Sequence, residues 1–338
     1  MDRSKNQQDH LISWIEKDGP IRFDVFMAWA LYDPCFGYYH QAPGMSGADF
    51  ITAPEMGSLF SDALIDLIDA LNLRCKHLVE LGPGTGQLMS KLAAKFKHQF
   101  EHYHFVEISE SLKEIQLENN HFCSHILLDE IPENSLIIAN EWLDAIPSRR
   151  VKRKDGKLLE AYVCLDNGQF SWQWQATTIE LNQWPDTDGI YDVRDYRKTL
   201  QSLGSAIKDS VCLWFDYGYH ANELMHLPHL GDSLRGFYQN TVESDVLKHI
   251  GHMDITADVN FSALAHQVAD QGWLVSNYFK QSRWIIDFLA KHPDRKNNTW
   301  EVRQLTDPSE MGERVRCLIF TDPKLELKRL SFDECARL

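Results

Sequence analysis

The chain has 338 residues, 43% hydrophobic and 25% charged, which is the composition of a globular protein that can bury a sizeable core. Its 34 basic and 49 acidic residues leave a net charge of −15. A surface with this charge repels the phosphates of nucleic acids and anionic lipids, so we expect neither a nucleic acid nor a membrane as partner.

The first 75 residues predict helices and one long loop. Apolar residues recur at helical spacing over residues 10–31, with a break at Gly19-Pro20. A stretch rich in glycine, proline and aromatic residues then runs from Tyr32 to Glu55, and a loop of this length often has a function. Residues 59–71 predict an amphipathic helix. We interpret residues 1–75 as a helical cap with a covering loop.

From residue 76 the pattern alternates between strands and helices. Buried strands are predicted at residues 77–81, 103–107, 135–140, 211–216 and 316–322. Helices are predicted after Gly86, after Ile108 and near Phe261. Such alternation is typical of a mostly parallel, doubly wound sheet. We therefore predict an α/β fold whose sheet domain comprises residues 76–148 and 203–338.

Residues 149–202 interrupt this alternation. Asp155-Gly156 and Asn167-Gly168 each lie between extended segments, a pattern that indicates antiparallel hairpins. We interpret the segment as a β-rich insertion beside the main sheet.

The strongest chemical signal is the loop VELGPGTGQL at residues 79–88, between a predicted strand and a predicted helix. Gly82, Gly84 and Gly86 allow sharp turns and leave no Cβ in the way of a ligand. Ligands of open parallel sheets bind at the carboxyl ends of the strands, where this loop falls. A dinucleotide site would have the spacing G-x-G-x-x-G, and Pro83 lacks the N–H that a phosphate could use.

Acidic residues beside this loop favour a cationic ligand without phosphate. Glu80 precedes the glycines, and Glu107 ends the next predicted strand, where a carboxylate can accept hydrogen bonds from ribose hydroxyls. S-adenosylmethionine has no phosphate and carries a cationic amino group and a sulfonium. We therefore predict it as the cofactor. The alternative is a tight structural turn with Glu107 as an ordinary acid at the end of a strand.

The order of six segments resembles the MidA-like methyltransferases, whose mitochondrial members are protein arginine methyltransferases needed for assembly of respiratory complex I. The segments are GPIRFDVFMAWALYDPCFGYY (19–39), DFITAPEMGSLF (49–60), VELGPGTGQLM (79–89), ANEWLDAIP (139–147), FDYGY (215–219) and DITADVNFSAL (254–264). The chain departs from the family pattern at Trp142-Leu143, where Phe-Phe is usual, and before Asp254, where Pro-Gly is usual.

The resemblance implies a class I Rossmann-like methyltransferase sheet with an N-terminal helical cap and an inserted β-hairpin region. It also implies which residues surround the cofactor. A covering group would close over S-adenosylmethionine from the N-terminal side, Glu80, Gly82 and Gly84 would contact its amino acid portion, and Glu107 its ribose. The complete set of predicted cofactor-binding residues is Phe50, Thr52, Pro54, Glu55, Glu80, Gly82, Pro83, Gly84, Gly86 and Glu107.

The predicted catalytic residues are Asn140, Glu141 and Asp144. By resemblance Asn140 and Glu141 would face the transferable methyl group. Glu141 and Asp144 are carboxylates that could bind a guanidinium through paired hydrogen bonds. Alternatively, Asn140 and Glu141 only cap the end of a strand and Asp144 is a solvated residue. Asp254, Thr256 and Asp258 precede an apolar run and are interpreted as helix-capping residues.

We expect a methyltransferase that acts on an arginine of a partner protein, and by resemblance this partner is a respiratory complex I subunit. Three alternatives stay open: methylation of a small molecule or another side chain, a non-catalytic assembly or binding protein, and a nicotinamide oxidoreductase, which the loop spacing disfavours. The seven cysteines include no pair at metal-ligand spacing, so we expect no metal. Their odd number and the absence of an apolar signal core in residues 1–20 predict a cytoplasmic protein.

Overall fold

The structure, a computed structural model, describes residues 3–41, 53–181, 183–224, 233–297 and 299–338. The chain forms two units. The first unit comprises Met1–Phe50, Asp144–Asp195 and Ala221–Asp258, and the second comprises Ile51–Leu143, Tyr196–His220 and Val259–Leu338. Within the described residues, no helix is both long and apolar enough to cross a membrane.

Helices and strands are distributed along the whole described part of the chain. The helices are α1 (Arg3–Asp18), α2 (Phe23–Tyr32), α3 (Ala53–Met56), α4 (Leu59–Leu71), α5 (Gln87–Phe96), α6 (Glu110–Asn119), α7 (Arg197–Leu203), α8 (Ala221–Leu224), α9 (Phe261–Asp270), α10 (Gln281–Lys291) and α11 (Thr299–Thr306). The strands are β1 (Ile21–Arg22), β2 (His77–Leu81), β3 (His102–Val106), β4 (Ser124–His125), β5 (Ser135–Asn140), β6 (Arg149–Lys154), β7 (Lys157–Asp166), β8 (Gln169–Ala176), β9 (Gly189–Val193), β10 (Val211–Tyr219), β11 (Leu234–Tyr238), β12 (Thr241–Glu243), β13 (Asp254–Ala257), β14 (Val259–Asn260), β15 (Leu274–Lys280) and β16 (Val315–Thr321).

The second unit is built on a sheet with the strand order β15-β16-β10-β5-β2-β3-β4, and the short strand β14 also pairs with β10. Strands β4, β3, β2, β5 and β10 run parallel, whereas β16 is antiparallel to both β10 and β15. The central strands are almost continuously apolar because both faces of a parallel sheet are buried. The predicted α/β class is confirmed.

Aromatic side chains fill the core of the second unit. Phe60 of α4, Phe215 of β10 and Trp284 of α10 are buried, and their ring centroids lie 5.2–5.5 Å apart. Tilted and edge-to-face pairs of this kind each add about 0.5–1.5 kcal/mol beyond the burial of their area. Helix α4 ends at Asn72, whose left-handed backbone (φ 49°) stops the helix.

The first unit consists of antiparallel sheets. One has the order β1-β7-β6-β9 with β8 paired to β7, and the other has the order β12-β11-β13. Asp155-Gly156 joins β6 to β7 and Asn167-Gly168 joins β7 to β8, and all four residues have positive φ angles. Two consecutive positive φ angles are typical of the tight turn that matches the twist of a hairpin. Phe23 and Phe26 of α2 share a hydrophobic cluster with Ala161 and Val163 of β7.

The boundaries of the two units differ from the predicted boundaries at residues 75 and 202. Helix α4 contributes to the core of the second unit, so the predicted cap at residues 1–75 is divided. Residues 221–258 belong to the first unit because β11 pairs with β13 in its second sheet.

The interpretation of Asp254, Thr256 and Asp258 as helix-capping residues is wrong. Asp254 and Thr256 lie in strand β13, and Thr256 pairs with Arg235 of β11. The residue that caps α9 is Asn260, whose side chain accepts a hydrogen bond from the Ala263 N–H at 3.0 Å. An alternation of polar and apolar residues before a helix is compatible with a strand as well as with a helix cap. The pairing with β11 shows that Asp254–Ala257 form a strand.

Candidate functional site

The glycine loop, residues 82–86, connects β2 to α5. Gly82, Gly84 and Gly86 have φ angles of 60°, 55° and 79°, all in the left-handed region that other residues reach only with strain. The loop closes on itself because the Gly86 N–H donates to the Pro83 carbonyl at 2.8 Å. The predicted spacing of glycines therefore corresponds to alternating left-handed backbone positions.

The three glycines differ in their surroundings. A Cβ at Gly82 would lie 2.6 Å from Cδ1 of Trp142, and a Cβ at Gly86 would lie 2.7 Å from Nδ2 of Asn120. A Cβ at Gly84 would have no atom within 4 Å. Gly82 and Gly86 are therefore needed for packing as well as for backbone conformation, whereas Gly84 faces open space that a ligand can approach.

Glu80 lies in β2 just before the glycine loop, and its side chain is buried. Its Oε2 atom has no hydrogen-bond partner within the described part of the chain. Burial raises the pKa of this carboxyl to about 8, although the backbone N–H of Met89 lowers it. A buried carboxylate without a cation is costly, so a positively charged group that reached Glu80 would be bound strongly.

Glu107 directly follows β3 and is held by its own loop. Its Oε1 atom accepts from the backbone N–H groups of Ile108 and Ser109, both at 2.8 Å, and Oε2 accepts from Nε2 of Gln116 at 3.2 Å. Burial raises the pKa of Glu107, and these hydrogen bonds oppose the rise. Each carboxylate oxygen has two lone pairs, so the longer contact leaves Oε2 better able to accept from a hydroxyl group.

An acidic group beside an open glycine and a second one after the neighbouring strand fit a cationic nucleoside that lacks phosphate. The unpartnered oxygen of Glu80 matches an ammonium group, and Glu107 matches a ribose. The described residues of this site therefore suit S-adenosylmethionine.

Two residues of α6 and its C-terminal end that the sequence motifs do not include also hold the glycine loop. Gln116 and Asn120 are fully buried, although both have polar side chains. Asn120 donates to the Gly86 carbonyl at 3.1 Å and accepts from Oγ of Ser90 at 2.6 Å. Two amide residues four positions apart, on the helix face that points inward, are the signal that could have identified them.

The predicted covering group is described in part. Phe50 and Thr52 lie outside the described residues. Pro54 and Glu55 lie in the short helix α3, and Nζ of Lys91 donates to the Pro54 carbonyl at 3.0 Å. Since Lys91 belongs to α5, α3 is tied to the helix that follows the glycine loop.

Glu141 directly follows β5, and its backbone is in the left-handed region at φ 51°. The Trp142 and Leu143 N–H groups donate to Oδ2 of Asp216 at 3.0 and 2.6 Å. Oδ1 of Asp216, which is fully buried, accepts from the N–H of Tyr217 at 2.8 Å. Two backbone N–H groups of the turn donate to this one carboxylate, so the strain at Glu141 persists because its surroundings impose it.

The structure brings Asn140 and Glu141 together but places Asp144 in the first unit. Nδ2 of Asn140 donates to Oε1 of Glu141 at 3.2 Å. Asp144 is buried, and its backbone carbonyl accepts from Nη2 of Arg194 at 2.5 Å. Burial raises the pKa of Asp144 to about 6, with Arg194 lowering it and Asp258 raising it.

Mitochondrial proteins from several animals are similar to this chain over most of its length. The chain is 27% identical over 371 residues to the mitochondrial protein arginine methyltransferase NDUFAF7 of Danio rerio, covering 93% of this chain and 86% of the relative. It is 29% identical over 366 residues to the Homo sapiens protein of the same name, covering 90% and 81%. Because these relatives are named as mitochondrial proteins, the predicted cytoplasmic location is wrong.

Solved structures show the same fold. A likely methyl transferase from Burkholderia thailandensis, bound to S-adenosyl-homocysteine, superposes with a TM-score of 0.82 at 24% identity, covering 99% of this chain and 97% of the other. The family model described as "Putative S-adenosyl-L-methionine-dependent methyltransferase" matches residues 60–279, more than half of the chain. The chain therefore belongs to the family of S-adenosyl-L-methionine-dependent methyltransferases, and its cofactor is S-adenosyl-L-methionine.

Proposed function

We propose that this enzyme methylates the side chain of an arginine in a partner protein. The observation that carries the proposal is the position of Glu141, a carboxylate held in a strained turn at the carboxyl end of the central strand β5. Relatives named protein arginine methyltransferases, which match about nine-tenths of the chain, support the same acceptor.

In this proposal the cofactor is held by residues around the glycine loop. Glu80 pairs with its amino group, Gly84 leaves room for its amino acid portion, and Glu107 accepts from its ribose hydroxyls. Gly82, Pro83 and Gly86 shape the loop, and Pro54 and Glu55 of α3 cover the bound molecule. The unpartnered oxygen of Glu80 and the open space at Gly84 support these roles.

When bound, the cofactor supplies a methyl group on a positively charged sulfur, which leaves as a neutral thioether with the electron pair of the broken bond. The remaining task of the protein is to align the attacking nitrogen, which can lower the barrier by about 7–11 kcal/mol at best. A guanidinium spreads its charge over three nitrogens. We propose that Glu141 binds two of its N–H groups and directs the third nitrogen towards the methyl group.

Another predicted catalytic residue, Asn140, has a supporting role in this proposal. Asn140 donates to Oε1 of Glu141 and so orients the carboxylate that receives the guanidinium. After transfer, the methylated nitrogen loses one proton to water or to a carboxylate such as Glu141. We further propose a subunit of respiratory complex I as the partner, by the resemblance to mitochondrial members of the family.

A second candidate function is a non-catalytic binding protein on the same fold. It is favoured by one observation: Oε1 of Glu141 also accepts from the Ala53 N–H at 3.2 Å, where it caps the start of α3. A capping role would explain a carboxylate at this position without methyl transfer.

Transfer of a labelled methyl group from S-adenosylmethionine to lysate proteins tests the proposal. Glu141→Gln keeps the size of the side chain and removes its charge, so we expect transfer to fall about 100-fold. Affinity for S-adenosylhomocysteine, measured by calorimetry, should stay within about threefold. Glu133→Gln is the matched control, because Glu133 pairs with the exposed Lys208 on the surface and has no place in the proposed site.

Mass spectrometry of the labelled product then identifies the modified side chain. Methylarginine supports the proposal, and a methyl group on another side chain or on a small molecule contradicts the acceptor. A wild-type protein that binds the cofactor but transfers nothing in lysate or to purified complex I subunits supports the binding protein instead.

A further inference from the structure

We propose that Gln116 and His125 form a positioning pair that locks the glycine loop and the ribose-binding carboxylate into one geometry. The pair would decide how tightly the nucleoside part of the cofactor is bound. The inference depends on the proposed cofactor role of Glu107 but is independent of the arginine acceptor.

The side-chain amide of Gln116 joins two parts of the cofactor site that lie far apart in the sequence. Nε2 of Gln116 donates to the Gly84 carbonyl at 2.7 Å and to Oε2 of Glu107 at 3.2 Å. An amide nitrogen has two hydrogens, and each is directed to one acceptor. Gln116 is fully buried, so water does not compete for these hydrogen bonds.

His125, in β4, determines which way the amide of Gln116 faces. Nε2 of His125 lies 2.7 Å from Oε1 of Gln116. Because the amide nitrogen must face a carbonyl and a carboxylate, its oxygen must face the histidine, which therefore donates from Nε2. A flipped amide would place its oxygen against both acceptors. Burial lowers the pKa of His125, as does Lys113, while Glu110 raises it.

The site depends on this pair because packing does not hold the tip of the loop. A Cβ at Gly84 would have no atom within 4 Å, so no packing contact restrains the residue on that side. The amide of Gln116 instead fixes the Gly84 carbonyl and limits rotation of Glu107. Loss of the amide would leave the fold intact and both cofactor-binding parts free to relax.

Calorimetric titration with S-adenosylhomocysteine tests the pair. Gln116→Leu keeps a similar volume and removes three hydrogen bonds, so we expect affinity to fall at least about tenfold. Gln99→Leu is the matched control, because the side chain of Gln99 donates a long hydrogen bond of 3.4 Å to the Leu73 carbonyl, away from the glycine loop. The control should bind as the wild type does.

Two further comparisons separate positioning from a general structural role. In Gln116→Glu, a carboxylate would face Glu107 and the Gly84 carbonyl at pH 8, whereas at pH 5.5 a protonated acid can donate again. We therefore expect its loss of affinity, relative to wild type at the same pH, to be larger at pH 8. His125→Gln, whose amide can donate, should bind within about threefold of wild type, and His125→Phe should not.

The proposal is overturned if Gln116→Leu binds as tightly as Gln99→Leu, or if the deficit of Gln116→Glu does not change with pH. It is also overturned if His125→Gln and His125→Phe bind equally well. Glu107→Gln distinguishes the two levels of inference. If Glu107→Gln binds S-adenosylhomocysteine weakly and Gln116→Leu binds it normally, the positioning pair is contradicted and the ribose role of Glu107 stands. If Glu107→Gln binds with full affinity, the ribose role on which the positioning pair depends is contradicted.

Discussion

Two turns of the second unit follow the neighbouring parallel strands β2 and β5, and both place a residue in the left-handed backbone region. One turn has a glycine at that position and the other a glutamate. After β2 the chain enters the left-handed region at Gly82, and after β5 it does so at Glu141. A glycine reaches this region without strain, whereas another residue costs about 1–2 kcal/mol. In the first turn a Cβ at Gly82 would lie only 2.6 Å from Cδ1 of Trp142. The second turn presents a carboxylate and therefore cannot use glycine.

The buried acids beside these two turns differ in their hydrogen bonds. Asp216, beside the Glu141 turn, accepts from three backbone N–H groups. Glu80, beside the glycine loop, keeps a buried oxygen without a partner among the described residues. The comparison indicates that Asp216 stabilises the backbone, and it supports the proposed contact of Glu80 with a cationic ligand. Variants at both turns test this contrast, and the largest effect is expected at Glu80.

Replacement of Glu80 by Gln should remove a pH dependence of stability. The pKa of Glu80 is about 8 in the folded protein and has an ordinary value of 4.5. Between these values the folded state holds a proton that the unfolded chain releases, so rising pH favours unfolding. From pH 5 to pH 9 the free energy of unfolding of the wild type should fall by about 4 kcal/mol relative to Glu80→Gln. Urea denaturation of both proteins at several pH values measures this difference. If the free energies of unfolding of the two proteins change with pH in the same way, the buried carboxyl with its unpartnered Oε2 is contradicted.

Removal of the Asp216 carboxylate should destabilise the protein by about 3 kcal/mol, because Asp216→Ala removes the acceptor of the buried Leu143 N–H and of two part-buried N–H groups. Asp216→Asn keeps one acceptor oxygen and should cost about half as much. Thermal and urea denaturation give both values. Equal costs for the two variants would show that packing, rather than hydrogen bonding to the turn, determines the role of Asp216.

Alanine at Gly82 should cost more than alanine at Gly84. Both positions have positive φ angles, but only at Gly82 would the new methyl group meet Trp142, at 2.6 Å. We expect a loss of about 2–3 kcal/mol for Gly82→Ala and about 1 kcal/mol for Gly84→Ala. Gly84→Ala should nevertheless weaken binding of S-adenosylhomocysteine in calorimetry. Full affinity of this variant would show that the ligand does not approach Gly84.

The strain at Glu141 should be measurable by itself. Glu141→Gly relieves the left-handed backbone and Glu141→Ala does not, so the glycine variant should be more stable by about 1 kcal/mol. Neither variant should transfer methyl groups. Equal stability in urea denaturation would mean that the turn relaxes when the carboxylate is absent.

Much of the cofactor site could be predicted from the sequence because its signals are local. The strand before the glycines, their spacing and the acid after the next strand all lie within about thirty residues. In the structure Glu80 lies in β2, Gly84 in the loop after it, and Glu107 directly after β3. The catalytic set was harder to predict. Asn140 and Glu141 do contact each other, but Asp144, only three positions later, falls in the other unit because the chain leaves the sheet there.

The α/β class, the glycine loop and the choice of a nucleoside without phosphate follow from the sequence alone, since hydrophobic periodicity and backbone freedom depend on neighbouring residues. The polar side chains that support these elements, in contrast, are identified by the folded structure. Gln116 meets Gly84 and Asp216 meets the Glu141 turn across strands and helices that are distant in the chain. A hydrogen bond needs its two partners within about 3 Å, and for residues so far apart that distance is set by the packing of the whole unit.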